Sequence, residues 1–120
     1  MSYASYKVLH LIGILFLFTS LGGLAILARS GSTSSAARKL ALATHGIALA
    51  IILVAGFGLL ARLGFMAAIP TWAWLKMGIW LLLALAVLPL RRAPRLTGAL
   101  WIALPLLGGV AAWLAVNKPF

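Results

Sequence analysis

Of 120 residues, 65% are hydrophobic, ten are Lys or Arg and none is Asp or Glu, so the chain carries a net charge of +10. A soluble domain averages about 45–50% apolar and about 25% charged residues; with a mean hydropathy of +1.18, this is the composition of an integral membrane protein. The missing carboxylates exclude paired-acid hydrolysis, carboxylate-coupled transport and oxygen-ligand metal sites, and the missing cysteines exclude disulfides, thiol chemistry and Cys-held iron–sulfur clusters.

The first apolar run covers residues 6–28 and opens on YKVLHLIGILFLF. It meets the length of about 20 residues that crosses a bilayer as helix. Lys7 before the run and AILA at its end have the flavour of a signal peptide, but further spans follow, which predicts an uncleaved first helix. A Ser/Gly-rich turn, RSGSTSSAARK, leads to a second span over 40–61. RLGFMAAIPTWAW then places Pro70 to open a third span over 71–90, with Trp72 and Trp74 suited to an interfacial belt. The tight turn RRAPR leads to the fourth, over 96–116.

Short connections between spans of this length predict an all-α fold: a single transmembrane domain over 1–120, packed as an up-down four-helix bundle. Small residues are expected to mark the helix contacts, namely Gly13, Gly22 and Gly23, then Gly56 and Gly58, then Gly108 and Gly109. Pro89 and Pro105 are expected to bend their helices.

Charge then orients the bundle. Arg29, Arg38, Lys39, Arg91, Arg92 and Arg95 share one side, against Lys7, Arg62 and Lys118 on the other. The positive-inside rule puts the six-cation side in the cytoplasm and both termini outside. These cations sit in short clusters beside apolar spans rather than along one polar face, so they read as topology charges and not as a nucleic-acid surface. The partners expected are the bilayer and either a larger membrane complex or a homo-oligomer. Without acids, self-association would rest on small-residue packing and aromatic contacts.

Three ionisable side chains lie inside the spans: His10, His45 and Lys76. In hydrocarbon an imidazole must find a partner, ligate a metal or sit at the water's edge. His10 lies about 6 Å into the first span and His45 about five residues into the second, from opposite faces, which separates them by about 15 Å along the membrane normal. That distance disfavours one metal or haem iron held by both, so each is a separate candidate ligand. Lys76 enters the third span from the same side as His10, and Trp72, Lys76 and Trp80, spaced by four, form a stripe on which an ammonium can rest against indole faces. His10 and Lys76 can therefore share a depth. Two readings stand side by side. In one, the lysine snorkels and the histidines bond to neighbouring helices. In the other, His10 and Lys76 bind an anionic group, or His10 ligates a b-type haem, with Met77 opposite as a thioether ligand and Lys76, Lys7 or Arg62 meeting the propionates. The runs HLIGILFLFTSLGGLAILAR and HGIALAIILVAGFGLLAR also echo each other, as inverted repeats do and as a restricted membrane alphabet does by chance.

The order and spacing of VLHL, THGIALAIILVAGFGLL, IPTWAWLK, LRRAP and the tail WLAVNKPF, over nearly the whole chain, resemble the SirB family of small bacterial inner-membrane proteins. Similar proteins carry Pro-His followed by Asp where this chain has Thr44-His45 and no Asp. YKVLH and WAWLK more distantly resemble HemJ-type protoporphyrinogen oxidases, which are associated with haem; their arginine one turn before the lysine corresponds to Trp72 here. The SirB resemblance implies a membrane protein of undisclosed activity, leaning to a non-enzymatic or accessory subunit of an assembly. The HemJ resemblance implies a haem- or quinone-associated redox protein, with His10, His45 and Lys76 as cofactor-binding residues and the two histidines as metal ligands.

Overall fold

The computed structural model describes residues 1–119, and helices are its only regular elements among the described residues. They are α1 (Tyr3–Ser30), α2 (Ser35–Arg62), α3 (Thr71–Leu85), α4 (Val87–Arg92), a 3-10 turn (Pro94–Leu96) and α5 (Thr97–Asn117). Local chemistry sets their ends. The Ser2 hydroxyl accepts from the Ser5 N–H at 3.1 Å, and Ser34 does the same for Ala37 at 3.2 Å, satisfying first-turn donors that have no helical partner. Gly31, at φ 67°, closes α1 in the left-handed conformation that a residue without Cβ adopts freely.

Four segments are long and apolar enough to cross a membrane: α1, α2, α3 with α4 (Thr71–Arg92), and the 3-10 turn with α5 (Pro94–Asn117). The chain is thus a multi-pass membrane protein. The third span breaks between Leu85 and Val87. Pro89 is the cause, since it has no N–H to offer the Leu85 carbonyl one turn back. Pro105 interrupts α5 less, and that helix continues through it.

The spans form a ring in up-down order. α1 and α2 make the most extensive contact, α3 packs on α5, α1 also touches α4 and α5, and α2 closes on α3. Leu17, Leu21 and Leu24 of α1 face the interior with Ala48, Ile52 and Ala55 of α2, spaced by three and four as one helix face requires. Lipid is as apolar as leucine, so close packing rather than water exclusion holds such helices together.

Glycine provides the closest approaches. A Cβ at Gly13 would stand 2.9 Å from Ile52 Cγ1 and 3.2 Å from the Ile52 backbone nitrogen. Gly58 receives the Tyr6 ring, Gly56 backs the His10 imidazole, and a Cβ on Gly108 would fall 2.6 Å from Phe18. The other expected contact glycines differ: Gly22 and Gly23 have ordinary neighbours at 3.9 Å and Gly109 has none within 4 Å. One residue is about 100° of helix rotation, so Gly108 facing the bundle turns Gly109 away from it.

Candidate functional site

The three ionisable residues of the spans are placed by a register along α2. His45 Nε2 donates to the Leu83 carbonyl at 3.2 Å, and Trp80 Nε1 donates to the Leu49 carbonyl at 3.1 Å. α2 and α3 therefore run antiparallel with residue 45 beside 83 and 49 beside 80. One more turn brings Lys76 level with residues 52 and 53. From the other flank, His10 Nδ1 bonds to the Ile52 carbonyl at 3.0 Å, with its ring against Gly56. His10 and Lys76 thus share one level near the end of the bundle that holds both chain termini. His45 lies seven to eleven residues away along α2, about 10–16 Å at 1.5 Å per residue. No group of three or more His, Cys, Asp or Glu gathers as a metal cluster among the described residues.

The hydrogen bonds fix the tautomers. A carbonyl only accepts, so His10 carries its proton on Nδ1 and presents a lone pair at Nε2, while His45 is protonated on Nε2. His10 is half-buried, and its free nitrogen is the one capable of ligation or of accepting a further bond. His45 is enclosed between α2 and α3 at 6% exposure.

A second cation joins the His10 level. Lys118 follows α5, with its ammonium bonded to the Ala115 carbonyl and 5.4 Å from the centroid of the Trp72 ring. This corrects the expected stripe: the cation over Trp72 is Lys118, not Lys76. Trp72 is buried with Phe65 edge-on to it at 5.9 Å, and Trp80 turns its N–H across to α2. Residues spaced by four share a helix face, but large indoles on that face reach the neighbouring helices, where a carbonyl or a second ring receives them. Met77 packs against the apolar core.

The sequence did not mark Trp80 as a donor, because tryptophan in a span reads equally as a belt anchor. Nor did it mark Tyr6, whose ring fills the place left by Gly58. Chemically, the His10 level offers one lone pair and two ammonium groups, with no Asp or Glu side chain to neutralise them. Two ammonium groups beside a lone pair have the charge and donors that complement an anion. The chain matches no protein-family model, no curated protein and no solved structure.

Proposed function

We propose that this is a SirB-like inner-membrane protein acting as a non-enzymatic accessory subunit of a larger membrane assembly, with both termini outside. The observation that carries the reading is the use made of polar groups inside the spans. His10, His45 and Trp80 each bond to a backbone carbonyl of an adjacent helix, which fixes helix positions and leaves little for chemistry. Gentle solubilisation followed by native mass measurement tests it. The expected particle contains other polypeptides; a particle at 12.7 kDa or an integer multiple of it refutes the reading. Orientation is separately testable, because the chain has no cysteine: a single Cys at Ser32 should react with impermeant maleimide only from the cytoplasmic side, and one at Ser5 only from outside.

One observation favours a second reading. The free Nε2 of His10, oriented by its Nδ1 bond, stands level with Lys76, the donor set that suits a b-type haem with its propionates on Lys76 and Lys118. A Soret band in the purified protein that disappears in His10→Ala supports it, and a colourless, folded preparation refutes it.

A further inference from the structure

The opposite end of the bundle carries the stronger charge. Between α1, α4 and α5 an apolar cleft of about 220 Å³ opens sideways; Leu21, Gly22 and Ala25 line it from α1, Leu90 from α4, and Trp101 and Leu104 from α5. At this volume it is smaller than the roughly 300–1,000 Å³ of pockets for drug-sized ligands, and its half-open wall suits part of a hydrocarbon chain entering from the membrane.

Cations crown one end of this cleft. Arg29 is one turn beyond Ala25 on the same face of α1, and its guanidinium reaches α5, with Nη1 3.7 Å from where a Cβ on Gly98 would stand. Arg91 directly follows Leu90, and the 3-10 turn bearing Arg95 packs against both α1 and α4. All three arginines are exposed. The chain holds no Asp or Glu to pair with them, so their counter-charge comes from outside the chain. The first turn of α5, at the same mouth, adds the positive end of a helix dipole.

We propose that this cleft and its arginine crown form a binding site for an anionic phospholipid, one acyl chain lying along Leu21, Ala25 and Leu104 and the phosphate held at Arg29. Apolar wall and cationic mouth meet at the depth where a lipid's own chain and headgroup meet, which selects a lipid over a free anion. The six cations of this end, against the Lys7, Arg62 and Lys118 of the other, match the negative surface that attracts juxtamembrane basic residues.

The test is native mass spectrometry of the full chain in detergent, titrated with dioleoyl phosphatidylglycerol or with dioleoyl phosphatidylcholine. A one-lipid adduct is expected at phosphatidylglycerol concentrations at least about tenfold lower than for phosphatidylcholine, and Arg29→Gln should weaken it about fivefold, one basic residue's share. Gly22→Leu, whose Cβ would have ordinary contact with Trp101 at 3.9 Å, fills the cleft and should weaken binding of both lipids. Arg62→Gln, at the other end, should change nothing. Equal affinity for the two lipids overturns the proposal, as does a phosphatidylglycerol preference unmoved by Arg29→Gln, one lowered as much by Arg62→Gln, or binding of both lipids undiminished in Gly22→Leu. So does a co-purifying polypeptide lost in Gly22→Leu and not displaced by phosphatidylglycerol.

Discussion

Gly13→Val perturbs the α1–α2 crossing at the glycine whose Cβ would meet the backbone of the facing helix. A Cβ at residue 13 would meet Ile52 Cγ1 at 2.9 Å and Ile51 Cγ2 at 3.0 Å, side-chain atoms that can rotate away, but also the Ile52 backbone nitrogen at 3.2 Å, which cannot. Valine adds two methyl groups beyond that Cβ, so α1 and α2 must separate by several tenths of an ångström. Overpacking of this kind costs about 1–3 kcal/mol. One turn away, the His10 bond to the Ile52 carbonyl starts at 3.0 Å and lengthens with the separation, forfeiting part of the average of about 0.6 and maximum of about 1.7 kcal/mol measured for polar bonds between membrane helices. The two together give a loss of about 1–4 kcal/mol. Gly13→Ala, without the extra methyls, should cost less. Gly109→Ala, where nothing lies within 4 Å, should stay within about 0.5 kcal/mol of the parent. Reversible unfolding in mixed micelles, followed by far-UV circular dichroism, reads all three. Gly13→Val and Gly109→Ala of equal stability would refute the α1–α2 crossing.

Other substitutions address other parts of the bundle. Trp80→Phe removes the donor to the Leu49 carbonyl and should cost about 0.6–1.7 kcal/mol in the same unfolding assay, whereas Trp74→Phe, at an exposed belt position, should cost less. His45→Leu keeps apolar bulk but loses the bond to Leu83, so about 1 kcal/mol is expected; His45→Ala adds a cavity and should cost more. Pro89→Ala restores an N–H beneath the Leu85 carbonyl, and hydrogen exchange should then show a new protected amide at residue 89 with α3 and α4 behaving as one helix.

The spans and their order are legible in the sequence because a membrane demands long apolar helices and little else satisfies it. A disturbance at Pro89 is legible too, since a missing N–H acts locally, but the same rule expects one at Pro105, where α5 runs on unbroken. Which face of each helix turns inward is not legible. In water an amphipathic stripe marks the core; here both surroundings are apolar, and Gly108 and Gly109 are indistinguishable until the packing of Phe18 separates them. The polar residues show the same limit. The shared depth of His10 and Lys76 follows from counting residues. That Trp80 donates to Leu49 while Lys118, from the far end of the chain, covers Trp72 depends on helix rotation, and no spacing rule carries it.

His10, His45 and Trp80 commit a ring nitrogen each to a bond between helices, and the two imidazoles report on it in opposite ways. Nitrogen-15 NMR of histidine-labelled protein in lipid, with His45→Leu to assign the signals, should find the hydrogen-bonded proton of His10 on Nδ1 and that of His45 on Nε2. Two rings with the same tautomer, or exchange-labile N–H signals at Nδ1 of His10 and Nε2 of His45 with no sign of a hydrogen bond, would contradict it.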